Sequence, residues 1–402
     1  MYNKRTLQAK ILRSSKNFKV LLVTGPRQVG KTTLLQNTAR RRNYVSLDNP
    51  EALLKATEDP EGFLQTYSPP VFIDEVQYEP RLFKYIKMLV DDTDKYGQVW
   101  LTGSQQFSMM KNVSESLAGR VAIVRLLGFS IYEREGKGLQ SKKYLPTLNP
   151  PAKLKRRNVA HTFRIIWQGS FPRAVALKTP DELATFYDSY VQTYIERDVR
   201  QLLNVGSEAA FVKFLKVVAA RTGQELRLTD IARDVGIVPN TAKNWLSILE
   251  TAGLIYLLQP YFRNITKRFT KTPKLYFLDT GLAAHLAGWN TPRALETGAS
   301  AGAFFETFVV SEILKSYYHQ GARPTLYYFR DSNQNEIDLL IEQDGLFFPI
   351  EIKKTATPRS SDVKAFQTFA KIEKIGFGAL ICLTNKIQPL GKDVKAISIW
   401  DI

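Results

Sequence analysis

Cysteine and histidine are scarce in this chain. Its single cysteine, Cys382, cannot close a disulfide within the chain, which excludes a disulfide-stapled scaffold. Cys382 lies in the apolar run Ala379–Leu383 and reads as a small buried hydrophobe. The three histidines, His161, His285 and His319, lie far apart and offer no zinc-binding spacing. No apolar run approaches the ~20 residues that cross a bilayer, so no membrane partner is expected. The opening residues Met1–Arg5 lead into an amphipathic segment with no secretory apolar core, and a cytoplasmic protein is expected. Acids are scarce relative to bases: 38 Asp and Glu against 56 Lys and Arg leave a net charge of +18. That excess favours a polyanionic partner, with nucleic acid the first candidate; solubilising surface charge is the alternative.

What remains is ample for a folded core. With 402 residues and 44% hydrophobic content, about two to four domains are expected, none needing a staple. The organising stretch is Gly25-Pro26-Arg27-Gln28-Val29-Gly30-Lys31-Thr32-Thr33, which fits G-x-x-x-x-G-K-[ST] at every fixed position. The apolar run Phe18–Thr24 before it predicts a buried strand, and Thr32–Arg40 after it predicts a helix. In that setting the loop amides and the positive helix end face a phosphate anion. Lys31 is placed for the β and γ phosphates and Thr32 for Mg²⁺.

Further strands are expected at Tyr44–Asp48, Val71–Glu75, Val99–Ser104 and Val121–Leu127, with helices at 4–17 and Pro80–Val90. This alternation argues for a parallel sheet covered on both faces. Asp74 and Glu75 leave the C-terminal end of the third strand, where open α/β sheets bind ligands. Asp74 is the expected Mg²⁺ ligand and Glu75 the base that polarises the attacking water. Ser104, or its neighbour Gln105, is a candidate sensor of the γ-phosphate. Arg120 is a candidate arginine finger, in cis or across a subunit contact, with a plain surface arginine as the alternative.

Residues 134–157 carry Gly136, Gly138, Pro146, Pro150 and Pro151 among many Lys and Arg, and read as a solvated basic linker. Residues 158–222 read as mainly helical, with Thr179 capping a helix that starts at Pro180 and runs through Arg200. Arg197 or Arg200 could reach the nucleotide from such a lid; a solvated Glu196–Arg200 pair is the alternative.

Residues 223–275 read as a winged helix. Leu228–Val235 and Pro239–Leu249 flank the turn Gly236–Val238, with Ile231, Ala232, Val235, Ile237, Ala242, Trp245, Leu246 and Leu249 as core. Asn240, Thr241, Lys243 and Asn244 would face a DNA major groove. Arg263, Lys267, Arg268, Lys271 and Lys274 form an acid-free basic run suited to phosphate. Contact with a protein partner is the alternative. At 300–402, Glu306 lies on a helix, while Glu336 with Asp338, and Glu351 with Lys353, share strand faces. Asp338 and Glu351 are candidate Mg²⁺ ligands, with Glu306 and Lys353 as catalytic companions. The alternative is an ion-pair cluster on an exposed sheet face.

Over nearly its full length the chain resembles a family of bacterial and archaeal AAA-type ATPases with a C-terminal domain of unknown function. The resemblance is carried by Gly25–Thr33, Phe72–Glu75, Leu101–Ser104, Leu117–Arg120, Tyr194–Val199, Tyr276–Leu282 and residues 336–353. It implies ATP as the nucleotide and a C-terminal pattern similar to PD-(D/E)xK nucleases, on Asp338, Glu351 and Lys353 with Glu306 as the helix acid. The expected class is therefore α/β: a P-loop NTPase parallel sheet with a helical lid, a winged helix-turn-helix and a restriction-endonuclease-like α/β domain. The expected boundaries are 1–133 for the ATPase core, 134–222 for the basic linker and lid, 223–290 for the winged helix and 291–402 for the nuclease-like domain. The expected activity is ATP hydrolysis with Mg²⁺ in a DNA-associated protein whose C-terminal domain is a candidate metal-dependent nuclease, with a homo-oligomer as a candidate assembly. A regulatory switch or a protein-remodelling ATPase is the alternative.

Overall fold

The computed structural model describes residues 2–38, 41–103, 113, 116–147, 154–194 and 208–402. These form two compact units, one of residues 1–141, 251–253 and 318–322, the other of the remainder.

The first unit is built on five parallel strands: β1 (Val20–Thr24), β2 (Asn43–Ser46), β3 (Val71–Asp74), β4 (Val99–Gly103) and β5 (Val121–Arg125). Their order is β2-β3-β4-β1-β5. Every residue of β1, β3 and β4 is buried, because helices cover both faces of a parallel sheet. β1 and β3 are accordingly continuous apolar runs ending in a polar residue, Thr24 and Asp74, and β4 carries Thr102 just before its last residue, Gly103. Leu82–Asp91 is the most amphipathic of the flanking helices described; Leu82, Phe83, Ile86 and Val90 join the sheet core with Val20, Leu22, Ile73 and Leu101.

The second unit holds two sheets. Leu228–Val235 ends at Gly236, whose φ of +87° suits a glycine in the left-handed helix cap. The helix Pro239–Thr251 follows. Trp245 anchors this pair, edge-on to Phe211 and Phe214 at 5.1 and 5.3 Å. An antiparallel sheet β6-β8-β7 completes the layer, from β6 (Gln224–Glu225), β7 (Ile255–Leu258) and β8 (Lys274–Phe277). Between β7 and β8 the chain forms a short helix, Ile265–Thr270.

The larger sheet has the order β13-β14-β12-β11-β10-β9, from β9 (Thr325–Arg330), β10 (Glu336–Gln343), β11 (Leu346–Ile352), β12 (Gly378–Cys382), β13 (Gln388–Gly391) and β14 (Val394–Ser398). Its centre, β11-β12-β14, is parallel and its edges are antiparallel. Cys382 is fully buried in β12, as its apolar neighbours predict.

The basic stretch at 134–157 is not solvated throughout. Tyr144 and Leu154 are buried, and Arg156 pairs with the buried Asp401 at 2.9 Å. The Thr179 cap holds: its hydroxyl accepts from the Glu182 amide at 3.3 Å and the Glu182 carboxylate accepts from the Thr179 amide at 3.1 Å. Ser104, Gln105, Glu196, Arg197 and Arg200 lie outside the described residues.

Candidate active site

The loop after β1 is shaped by its glycines. Gly25 has φ +148°, and a Cβ there would lie 2.0 Å from the Leu126 carbonyl oxygen. Gly30 has φ +89°, and Gln28 adopts a left-handed φ of +60°. Pro26 and Val29 are buried, Arg27 is half-buried, and Gln28 and Thr33 are exposed. Lys31 opens the helix Lys31–Thr38, and its Nζ donates to the Gly25 and Pro26 carbonyls at 3.1 and 2.9 Å. Its ammonium therefore lies in the mouth of the loop.

Thr32 and Asp74 meet across the sheet edge. The Thr32 hydroxyl donates to Asp74 Oδ2 at 2.9 Å. Thr102, buried at the end of β4, donates its hydroxyl to Asp74 Oδ1. Tyr44 on β2 adds a long contact to Oδ2 at 3.4 Å. Burial raises the Asp74 pKa, against the hydrogen bonds from Thr102 and Thr32 that favour the carboxylate. A hydroxyl and a carboxylate side by side are hard oxygen donors of the kind Mg²⁺ takes with phosphate and water, so this pair fits the ion. Glu75 is held in a left-handed conformation, φ +56°. Its amide donates to Thr102 Oγ1 at 3.2 Å, and Gln77 donates to its carboxylate.

A buried network backs the loop from behind. Arg5 is 2% exposed; its Nη1 donates to the Val29 carbonyl at 2.8 Å and its Nη2 to the Leu127 carbonyl at 2.7 Å. Glu133, fully buried, lies 3.1 Å from Arg5 Nε and 3.3 Å from His319 Nδ1. His319 Nε2 accepts from the Leu127 amide at 3.2 Å, which leaves the ring hydrogen on Nδ1, facing Glu133. Burial would raise the Glu133 carboxyl, but Arg5 and His319 hold it far below the usual carboxylate range.

Arg120 sits at the wrong end of the sheet for a finger in cis. Its carbonyl accepts from Val20 N at 3.1 Å, and β1 and β5 run parallel from Val20 beside Val121. The loop leaves the opposite end, about 16 Å away at ~3.3 Å per residue. Its guanidinium instead pairs with Asp91, Nη2 to Oδ2 at 3.0 Å.

In the second unit, Asn240, Lys243 and Asn244 are exposed and Thr241 half-buried. The basic run after β7 is not a free phosphate face. Arg263 pairs with Glu373 at 2.8 Å, Arg268 stacks over Tyr261 and Tyr327, and Lys274 is 5% exposed; Lys267 and Lys271 remain exposed. Glu306, Asp338 and Glu351 do converge, but they are withdrawn from solvent rather than spread on an exposed face. Burial, followed by Asp338, raises the pKa of both Glu306 and Glu351. Lys353 Nζ lies 2.8 Å from Glu351 Oε1, as the shared strand face predicts. Among the described residues no group of three His, Cys, Asp or Glu side chains is disposed to hold a metal ion; the expected ligands Asp338 and Glu351 have Lys274, at 3.5 Å, and Lys353, at 2.8 Å, as their neighbouring cations.

Sequence reasoning passed over Arg5, Glu133, Thr102 and the meeting of Lys274 with the acids. Thr102 stood inside a motif already singled out, one residue before Gly103, and the polar ending of an apolar strand was its signal.

The glycine loop, Lys31 and the Thr32–Asp74 pair at the C-terminal edge of a parallel sheet define a P-loop ATPase domain of the AAA class. Residues 17–135 match the AAA domain family, residues 160–293 a domain of unknown function (DUF8612) and residues 301–402 a further domain of unknown function (DUF4143). The chain belongs to the same family as two mycobacterial proteins, the uncharacterized protein Mb2031c of Mycobacterium bovis and the uncharacterized protein Rv2008c of Mycobacterium tuberculosis. Each is 30% identical over 363 residues, spanning 90% of this chain and 76% of the relative. Among solved structures, the Walker-type ATPase PABY2304 of Pyrococcus abyssi aligns with 71% of this chain and 96% of its own, at 15% identity and a TM-score of 0.46. No helix among the described residues is long and apolar enough to cross a membrane.

Proposed function

We propose that this protein hydrolyses ATP with Mg²⁺ and works on DNA through its second unit. The observation that carries the first half is the hydrogen bond between Thr32 and Asp74 beside Lys31, 2.9 Å long. In this reading the loop amides and Lys31 bind the β and γ phosphates. Thr32 and Asp74 would hold Mg²⁺, which would supply positive charge against the phosphates. Glu75, positioned by Thr102 and Gln77, accepts a proton from water as its oxygen bonds to the γ-phosphorus and the bond to the β–γ bridging oxygen breaks. Purified protein should turn over ATP. Lys31→Ala or Asp74→Asn should lower kcat at least about 100-fold, the scale of losing one charge-stabilising contact in the transition state. Unchanged turnover in both variants would refute the assignment.

Arg120 acts, in this reading, on the site of a second copy in a homo-oligomer. Mixing inactive Lys31→Ala with inactive Arg120→Ala protein should then restore turnover, since some interfaces pair an intact loop with an intact finger. A mixture as inactive as its parts would remove Arg120 from the mechanism.

The DNA half reads residues 223–290 as a winged helix presenting Asn240, Thr241, Lys243 and Asn244, and residues 291–402 as a nuclease-like fold. It is supported by the exposure of Asn240, Lys243 and Asn244 and the net charge of +18. A cytoplasmic location belongs to the same reading. A second reading is favoured by Lys274 lying 3.2 Å from Glu306: ATP drives a switch, or remodels a protein, while the C-terminal domain only binds.

A further inference from the structure

The acids of the C-terminal region already surround a cation, and it belongs to the chain. Lys274 is on β8, the central strand of the small sheet, paired to Leu258 on one side and Glu225 on the other. Its side chain is 7% exposed, and its Nζ lies 2.5 Å from Glu336, 3.2 Å from Glu306 and 3.5 Å from Asp338. An ammonium carries three hydrogens, and here three carboxylates face it. The Tyr276 hydroxyl donates to Glu306 at 2.6 Å, and the Tyr328 ring lies 5.5 Å from Lys274 Nζ.

The acids still exceed the cations that meet them. Glu351 is 7% exposed and its Oε2 is buried without a hydrogen-bond partner, although Oε1 takes Lys353. Asp338 reaches the same place, accepting from the Ile352 amide at 2.9 Å, and the pairing of β10 with β9 shifts register between Ile337 and Leu340. Such irregularities re-aim side chains. A buried carboxylate oxygen with no donor beside a second carboxylate is an arrangement that a divalent cation completes.

We propose that Lys274 Nζ is the resident cation of this carboxylate site, and that a divalent metal binds Asp338 and Glu351 only when Lys274 withdraws. The proposal rests on reading Asp338, Glu351 and Lys353 as a nuclease-like site, and gives it a lock carried by the neighbouring sheet. Both sheets belong to one compact unit. The lysine stem has four rotatable carbons, so withdrawal needs either a swing of the side chain or a shift of β8.

The test counts bound Mn²⁺ by electron paramagnetic resonance on the full chain carrying Asp74→Asn, which removes the carboxylate of the nucleotide site. Adding Lys274→Met should tighten Mn²⁺ binding at least about tenfold, the usual scale for a residue that sets a metal site from outside it. Adding Asp338→Asn as well should abolish the gain. Equal binding with and without Lys274→Met, lost in both on Asp338→Asn, would overturn the lock and leave the metal site standing. No Mn²⁺ bound by a folded Lys274→Met protein would overturn the metal-site reading and the lock with it. Should Lys274→Met fail to fold, amine acetylation of the wild-type chain read by mass spectrometry decides the matter. Lys274 should be protected without metal and labelled several-fold faster in saturating Mn²⁺; labelling that ignores bound Mn²⁺ would overturn the proposal.

Discussion

Gly25 shows how little freedom the nucleotide loop has. A methyl group at this position would sit 2.0 Å from a backbone oxygen of residue 126, so either the loop or the strand end must move. Gly25→Ala is expected to fold and to lose ATP affinity by at least about tenfold, because the amides no longer converge on phosphate; a fluorescent ATP analogue measures this. Glu133 sets a different limit. Its folded-state pKa is depressed, so its stabilisation is complete above the unfolded carboxylate pKa of about 4.3 and is lost as pH falls toward the depressed value. Glu133→Gln should cost about 3–5 kcal/mol at neutral pH, because it leaves Arg5 buried without its counter-charge. The same variant should flatten the fall in thermal midpoint below about pH 5. A parallel pH profile for the two proteins would show that another group governs acid unfolding.

At the scale of elements, the motif Tyr276–Leu282 acquires a structural meaning. Asp279 caps the helix Thr280–Leu286, accepting from Leu282 N at 2.8 Å, and also accepts from Ser170 N, Ser170 Oγ and the Tyr187 hydroxyl at 2.6, 2.7 and 2.9 Å. One carboxylate thus fastens the end of β8 to the turn at Gly169–Ser170 and to the helix Pro180–Tyr194. Asp279→Ala should cost about 2–4 kcal/mol in urea unfolding, from a lost cap and donors left without an acceptor. The helices Leu228–Val235 and Pro239–Thr251 and the strands of the parallel sheet were legible in the sequence because a continuous apolar run and a 3.6-residue period are local signals. The glycine loop was legible for the same reason, its residues being fixed within nine positions. Thr102 and Asp74 meet only through the register of β3 on β4, which no local pattern encodes. Lys274 looked like one more wing cation, because the acids that claim it stand 32 and 64 residues further on.

For the whole molecule, charge is the quantity that reaches furthest. On the DNA reading proposed above, binding through the exposed Lys243 should weaken with salt, and Lys243→Ala should reduce the slope of log affinity against log salt by about one. Retained affinity with an unchanged slope would direct attention to Lys267 and Lys271 instead. The chain also passes between its two units five times, at 141/142, 250/251, 253/254, 317/318 and 322/323. The two short returns are not idle. One brings Gly253 against Pro26 of the loop, where an added Cβ would lie 3.2 Å from its ring, and the other brings His319 to Glu133. A gene fragment ending at codon 141 would therefore encode the nucleotide loop and Arg5 with Glu133, but without Gly253 and His319. An exchange of continuous segments that carried residues 1–141 alone would leave two pieces of this unit behind.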